Sequence, residues 1–203
     1  MVTDNARRTY ALLLGVPQHG SALGSPRAPV TLQFFGDLQC KESRQVMLDV
    51  IPALIRRWVR PGDLRLVYRS TETDTKSAGG WPEFLDQQGA ALAAGHQDKL
   101  WNFIDVFYRE QGPEFTGYVS ERFLHLIAVQ AGIDLEGWQQ ARGAALKWVT
   151  SIENDETLAR RSRVDSTPSF LIGRTGSTAH VLRQFGLEEA GTFDEAIEEA
   201  LSA

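Results

Sequence analysis

The chain has 203 residues, of which 42% are hydrophobic, and it carries a formal net charge of −5. This length and apolar content suffice for one buried core, and no shift in composition suggests a second domain. The acidic balance argues against nucleic acid or an anionic membrane surface as the main partner.

The N-terminal segment predicts a short helix rather than a leader. An arginine pair precedes the apolar residues 10–14, but Gly15 and Pro17 cut this run short and no small-residue cleavage site follows. We expect an amphipathic helix capped by Thr3 or Asp4. No other segment approaches the roughly 20 apolar residues that span a bilayer, so we expect no membrane partner.

The single cysteine excludes an intrachain disulfide and fits a reducing compartment. We therefore expect a cytoplasmic protein, or a periplasmic or extracellular one if a leader precedes this chain. Residues 18–29 form a Gly-, Ser- and Pro-rich connector with room for a short edge strand around 21–23.

The stretch 30–43 predicts a strand, a turn and a helix start. Its apolar run 30–35 breaks at Gly36-Asp37, and Cys40 falls where a helical pattern over 40–59 begins. Unpaired N–H groups and the helix dipole stabilise an anion at a helix N-terminus. We expect the pKa of the Cys40 thiol to fall from about 8.5 toward roughly 4–7.

The remaining elements follow in order. Pro52 should kink the first long helix, and residues 64–69 should form a second strand parallel to the first. A polar loop over 71–82 leads into a long helical block, with helices predicted at 84–94, 100–108, 120–132, from Asp134 through Trp138, and at 146–161.

The chain then returns to strand. Strands are predicted at 169–172 and 180–185 around a turn at 173–177. Thr192 and Glu195 have the spacing of a capping box for a last helix ending at residue 201.

Two runs carry a family resemblance. The first is Ala28-Pro-Val-Thr-Leu-Gln-Phe-Phe-Gly-Asp-Leu-Gln-Cys40, and the second is Val164-Asp-Ser-Thr-Pro-Ser-Phe-Leu-Ile-Gly173. Together they resemble the DsbA-like branch of the thioredoxin superfamily, from about Leu23 onward. The resemblance implies a thioredoxin-like α/β fold, a central mixed sheet flanked by helices, with a helical subdomain inserted at about 83–162. It divides the chain into an N-terminal helix and connector, 1–22, and one domain, 23–203.

The active-site tetrapeptide departs from that family. Where the family has Cys-Pro-x-Cys, this chain has Cys40-Lys41-Glu42-Ser43. Ser43 lies one helical turn from Cys40, so its hydroxyl can face the sulfur, but it cannot resolve a mixed disulfide as a second thiol does. An ordinary first-turn helix serine is the alternative interpretation. Lys41 should favour the thiolate and Glu42 should oppose it.

A lone cysteine is more often a small buried hydrophobe than a nucleophile. The placement of Cys40 within the family motif favours the nucleophile. The resemblance further implies that the Thr167–Pro168 bond is cis and lies beside Cys40, where its backbone can pair with an extended peptide. A trans proline that only begins a strand is the alternative. Asp37 is predicted to cap the turn rather than act as an acid or base.

No metal site or cofactor is expected. The histidines, His19, His96, His125 and His180, show no ligand spacing with Cys40 or with one another. Glutathione enters only as a co-substrate. The basic clusters Arg56-Arg57-Arg60 and Arg160-Arg161-Arg163 are interpreted as solvated helix faces.

Two functions remain open. The first is a monothiol enzyme in which Cys40 forms a mixed disulfide with a thiol- or disulfide-containing protein or peptide, and an external thiol releases it. The second is a redox-inactive module that binds peptides or proteins with the same fold. An iron–sulfur cluster held between two subunits, as in monothiol glutaredoxins, receives little support from the surrounding motifs. No oligomeric state is indicated.

Overall fold

The computed structural model describes residues 3–72 and 78–203, so residues 73–77 of the predicted polar loop lie outside the described part. The strands are β1 (Gln18–His19), β2 (Ala22–Leu23), β3 (Val30–Gly36), β4 (Leu64–Ser70), β5 (Ser169–Arg174) and β6 (His180–Val181). The helices are α1 (Asp4–Leu13), α2 (Lys41–Asp49), α3 (Ile51–Leu54), α4 (Trp81–Gly95), α5 (Leu100–Glu110), α6 (Glu121–Gln130), α7 (Leu135–Arg142), α8 (Ala145–Arg161) and α9 (Gly191–Ser202).

The described strands form one mixed sheet in the order β1-β2-β4-β3-β5-β6. β3 pairs with β4 in parallel, as predicted, and with β5 in antiparallel orientation. β3 lies near the middle of the sheet and is buried along most of its length, which matches its continuous apolar composition. The strand that leads to Cys40 is therefore rigidly held on both edges.

An aromatic cluster holds these three strands together. Phe34 stacks on Phe170 with ring centroids 5.1 Å apart, and it meets Tyr68 edge-on at 5.7 Å. The three residues are partners across the β3–β5 and β3–β4 ladders. Such cross-strand aromatic pairs stabilise a sheet beyond the apolar area that they bury.

The predicted helical insertion consists of α4 to α8, between β4 and β5. Its central helix is α5, in which residues 100–108 are all buried. α5 packs against α1, α2, α4 and α6, so it joins the insertion to the helix that follows Cys40. Within 3–72 and 78–203, no helix combines the length and apolar character needed to cross a membrane.

The helix after Cys40 is interrupted at Val50, two residues before Pro52, where only a kink was predicted. α2 ends at Asp49, α3 begins at Ile51 with proline in its first turn, and a π-helical segment, Ile55–Val59, follows. Proline has no N–H and its ring clashes with the preceding turn, which explains the break. The Arg60 N–H closes the π-helical segment by donating to the Ile55 carbonyl at 2.9 Å.

Two predictions near the C-terminus are wrong. β6 ends at Val181 rather than at residue 185, and Gln184 has a positive φ of 58°, which interrupts an extended strand. α9 begins at Gly191, so Thr192 lies inside the helix and no side chain caps it. The carboxylate of Asp194, in the first turn, instead accepts from the Trp58 indole.

Candidate functional site

The turn after β3 presents Cys40 at the start of α2. The Asp37 carboxylate accepts from the Gln39 N–H at 2.9 Å, and the Asp37 carbonyl accepts from the Cys40 N–H at 3.1 Å. Asp37 therefore organises the turn, as predicted. Cys40 is the N-cap residue, and its sulfur accepts from the Ser43 N–H at 3.4 Å. This places the thiol at the positive end of the helix dipole.

The Cys40 side chain is enclosed rather than open to solvent. The residue is only 1% exposed. Its thiol faces two acceptors, the Glu42 Oε2 and the Thr167 carbonyl oxygen, each 3.3 Å from the sulfur. A thiol has one proton and can donate to only one of them at a time. The protonated thiol can donate to one of these acceptors, whereas a thiolate could donate to neither and would face both.

The expected fall in the Cys40 pKa is wrong in direction. Burial raises the pKa of the thiol and outweighs the groups that favour the thiolate, which are the Ser43 side chain and N–H and the Thr167 side chain. The Glu42 carboxylate adds to the rise in pKa. Desolvation disfavours the charged form of an acid, and here it exceeds the effect of the helix N-terminus.

The tetrapeptide side chains differ in what they do. Ser43 is fully buried beside the sulfur, where its hydroxyl favours the thiolate but makes no well-formed hydrogen bond to any residue that the structure describes. The Lys41 ammonium is exposed and lies 3.8 Å from the Glu42 carboxylate. The side chains with the largest effects on the pKa of Cys40 are those of Ser43, Thr167 and Glu42.

Pro168 follows the acceptor carbonyl directly. The Thr167–Pro168 bond is cis, as the family resemblance implies, and β5 starts at the next residue. Thr167 is half-buried and Pro168 is buried. The structure thus brings the two motifs together, because the Thr167 carbonyl contacts the Cys40 sulfur across 127 positions of sequence.

Sequence reasoning missed two residues from the helical insertion. The Gln111 side-chain amide donates to the Leu38 carbonyl at 2.7 Å and to the Cys40 carbonyl at 3.1 Å. A Glu114 carboxylate oxygen accepts from the Lys41 N–H at 3.1 Å. The Lys41 N–H belongs to the first turn of α2 and has no partner within the helix. It donates instead to the Glu114 carboxylate. Nothing in the local sequence indicates this contact, because the partners are more than 70 positions apart.

Three side chains of this site approach the geometry of a metal site. The possible ligand atoms of Cys40, Glu42 and Glu114 all lie within 4.8 Å of one another. Among the described residues, this is the group of three that could hold a metal ion. The four histidines are not part of it. A cation there would require Cys40 to lose the proton that it now donates to an oxygen atom.

A buried hydroxyl network lies behind the turn. The Tyr108 hydroxyl donates to the Asp37 carbonyl at 3.1 Å, and the Tyr68 hydroxyl is 3.0 Å from the Gly36 carbonyl and 3.1 Å from Gln88. Burial raises the pKa of both tyrosines well above the ordinary value. They remain neutral donors that fix the carbonyls between β3 and Cys40.

A surface cavity of about 500 Å³ lies beside the tetrapeptide. It is lined by Lys41, Glu42, Arg44, Gln45, Leu48, Asp49 and Leu187. Its wall mixes charges of both signs with two apolar side chains. A polypeptide or a small zwitterionic thiol could contact the Glu42 side chain from this cavity.

Comparisons with known proteins agree with this architecture. A protein-family model described as thioredoxin matches residues 18–185. The oxidised form of BdbD from Bacillus subtilis is similar, with a TM-score of 0.74 and 18% identity over 93% of this chain and 98% of that chain. α-DsbA1 from Wolbachia pipientis has a TM-score of 0.71 and 18% identity, covering 94% of this chain and 92% of that chain.

A thioredoxin-like oxidoreductase from Silicibacter pomeroyi has a TM-score of 0.67 and 23% identity, over 97% of this chain and 98% of that chain. No curated protein sequence matches the chain. Identities this low establish the shared fold and leave the chemistry to the residues of this chain. The chain belongs to the thioredoxin family, and its helical insertion gives it the DsbA-like form of that fold.

Proposed function

We propose that the protein carries out monothiol thiol–disulfide exchange at Cys40. The observation that carries this proposal is the meeting of the Cys40 sulfur with the Thr167 carbonyl at 3.3 Å, directly before Pro168. This contact joins the one thiol of the chain to a backbone segment that lies outside the sheet ladder. A bound polypeptide can contact the half-buried Thr167, whereas Cys40, which is 1% exposed, must be uncovered before it can react.

The reaction needs only groups at this site and an external thiol. The Cys40 sulfur attacks one sulfur of a substrate disulfide, and its proton passes to the Glu42 carboxylate and on to the departing thiolate. The products are a mixed disulfide on Cys40 and a free substrate thiol. An external thiol such as glutathione then attacks the mixed disulfide and restores the Cys40 thiol.

Ser43 limits the reaction to this route. Its hydroxyl cannot attack the mixed disulfide, and no second cysteine exists in the chain. Reduction of glutathionylated proteins fits these limits. Cys40 takes one glutathione from the substrate, and a second glutathione then releases it from Cys40 as glutathione disulfide. Disulfide isomerisation also fits, because a second substrate thiol can release Cys40. Net oxidation of dithiols does not fit.

A specific observation favours a second function, a redox-inactive peptide-binding module. Cys40 is 1% exposed and its pKa is raised by burial, so the folded protein holds it as a covered, neutral thiol. The nucleophile in exchange is the thiolate. In the binding module, the thiol would serve only as a hydrogen-bond donor to Glu42 or Thr167.

The two functions are separated by the reaction of the folded protein with glutathione disulfide. Intact mass spectrometry at neutral pH should show one glutathione added to the wild type and none to Cys40→Ser, and added glutathione should remove it. The same chain unfolded in urea serves as the control, because its thiol is accessible. If the unfolded chain reacts and the folded protein does not, the enzymatic function is rejected and the peptide-binding module is favoured.

The substrate-contacting role of Thr167 needs a separate measurement. Binding of a redox-inert extended peptide to Cys40→Ser, followed by NMR amide shifts, should perturb residues 166–169 and the start of α2. Shifts confined to other surfaces would contradict the placement of the substrate at this segment.

A further inference from the structure

A second cavity, of about 520 Å³, opens between α1 and the broken helix that follows Cys40. Its charged side chains are all arginines: Arg8, Arg56, Arg60 and Arg109. The rest of its lining is apolar and includes Leu48 and Pro52, and none of the described residues that line it is acidic. Such a concentration of positive charge is unexpected in a protein with a net charge of −5.

The four guanidinium groups are unequally neutralised. Arg109 donates to both carboxylate oxygens of the buried Asp105, at 2.8 and 3.2 Å. Arg8 pairs with the exposed Asp4 at 3.0 Å. Within the described part of the chain, neither Arg56 nor Arg60 forms an ion pair, and the Arg60 guanidinium donates to the Leu12 carbonyl at 3.0 Å. Positive charge therefore remains uncompensated at this cavity.

The interruption of the helix near Pro52 determines which arginine side chains face the cavity. After Pro52 the chain continues through α3 into the π-helical segment, and Arg56 and Arg60, four residues apart, lie on the same side of it. Their neighbour Arg57 points elsewhere, because it pairs with Asp194 at 2.7 Å and Glu198 at 3.1 Å on α9. The basic cluster interpreted from sequence as a solvated face is thus divided between an ion pair and a cavity.

We propose that this cavity binds an organic polyphosphate, a small molecule with two or more phosphate groups and an apolar part. Guanidinium forks match phosphate oxygens in bidentate geometry, and several of them can share one polyphosphate. The volume falls within the roughly 300–1,000 Å³ of small-molecule sites. Leu48 and Pro52 supply an apolar surface for the organic part. This site is independent of the proposed thiol chemistry.

The ligand would sit close to the thiol-bearing helix. Leu48, on α2, lines both this cavity and the cavity beside Lys41 and Glu42. Arg8, on α1, also lines this cavity, so binding would engage the N-terminal helix as well.

Titration calorimetry of the full chain tests the proposal with two probes at low ionic strength. Adenosine triphosphate carries the triphosphate with an organic part, and sodium tripolyphosphate carries the phosphates alone. We expect one adenosine triphosphate per chain, bound more tightly than tripolyphosphate. If tripolyphosphate binds as tightly as adenosine triphosphate, the claim that the ligand has an organic part is wrong. If neither probe gives heat, the claim that the cavity is a polyphosphate site is wrong.

Matched arginine variants locate the binding. Arg56→Gln and Arg60→Gln should each weaken adenosine triphosphate binding at least about tenfold, since each removes a charge-assisted hydrogen bond. Arg57→Gln makes the same charge change in the same segment and should alter affinity less than about twofold. All three side chains are exposed, so melting temperatures should stay similar. Equal weakening by Arg57→Gln and Arg56→Gln would overturn the assignment.

Discussion

At the Cys40 sulfur, opposing groups act on one proton. Burial and the Glu42 carboxylate hold the proton on the thiol, while the hydrogen-bonding groups of Ser43 and Thr167 favour its loss. Burial is the largest of these effects, but it depends on the whole surroundings of the site. Among the side chains that act on the sulfur, Glu42 is the one that raises the pKa, and its carboxylate can be replaced by an amide of nearly the same shape.

Glu42→Gln should therefore lower the pKa of Cys40. The amide has nearly the shape of the carboxylate but no negative charge, and it can donate to a thiolate. Because thiolate nucleophilicity falls with pKa, alkylation at neutral pH should speed up by less than the thiolate fraction rises. Alkylation rates measured against pH give the pKa directly. A rate and pKa unchanged from the wild type would show that Glu42 does not act on the sulfur.

Ser43→Cys should create a disulfide with Cys40. The Ser43 N–H already lies 3.4 Å from the Cys40 sulfur, and its side chain is buried next to it, so a sulfur at that position falls within bonding reach. Mild oxidation followed by mass spectrometry should show the loss of two hydrogens. The variant should also gain dithiol reductase activity in an insulin assay.

The double variant Cys40→Ser, Ser43→Cys is the control for that gain. It keeps one thiol at the buried position and should show neither the bond nor the activity. Oxidised Ser43→Cys protein in which both thiols remain free would contradict the orientation of Ser43 toward the sulfur.

At the scale of the elements, the helical insertion holds the start of α2 in place. Gln111 and Glu114 follow α5 and bind the backbone around Cys40. α5 itself is tied to α1 by Asp105, which is fully buried and accepts from the Arg109 guanidinium and the Thr9 hydroxyl. This buried pair links the N-terminal helix to the insertion, and thus to the site.

Arg109→Met should destabilise the protein by about 3–5 kcal/mol, because it leaves the Asp105 carboxylate buried without its cation. Arg109 is only 14% exposed, so solvent compensates little. Urea unfolding measures the change. Arg8→Met is the matched control, since Arg8 and Asp4 are both more than 60% exposed and such pairs contribute about 0–1 kcal/mol. Equal losses in the two variants would contradict the buried pair.

At the scale of the whole molecule, stability in alkaline solution should depend on two buried tyrosines and one partly buried tyrosine. Burial raises the pKa of Tyr68, Tyr108 and Tyr118 above the ordinary value near 10. The folded protein therefore keeps these protons at a pH where the unfolded chain releases them. Their contribution is fully present below about pH 10 and is lost as the pH rises toward the folded-state values.

Tyr118→Phe should flatten this alkaline loss. Above about pH 10, each tyrosine with a raised pKa lowers the free energy of unfolding by up to about 1.4 kcal/mol per pH unit. The variant removes one of the three and should reduce the slope by about that amount, while stability near neutral pH changes little. Urea unfolding at a series of pH values gives both slopes. Identical slopes would show that Tyr118 titrates equally in the two states.

Local features of this protein could be predicted from nearby residues. The interruption of the helix near Pro52, the caps of α1, α6 and α7 by Thr3, Ser120 and Asp134, and the Asp37 turn before Cys40 were all predictable. Each depends on hydrogen bonds or steric contacts within about four residues, which adjacent side chains determine. The order of the two motifs, together with the helical block between them, was enough to predict the fold.

The capping box at Thr192 shows where local reasoning fails. Thr192 and Glu195 have the right spacing, but α9 starts at Gly191, two residues before the start that an N-cap at Thr192 would give, and Asp194 binds Trp58, more than 130 positions away. The spacing of these two residues alone therefore did not locate the start of the helix.

The chemistry of Cys40 was decided by tertiary structure. Its helix-terminal position follows from the local sequence, and that position alone predicts a lowered pKa. Desolvation depends on every atom that covers the sulfur, including those of Thr167 and the segment after α5, and these come from distant parts of the chain. The sequence therefore determined where the thiol lies on its helix, whereas only the folded chain determined how strongly it holds its proton.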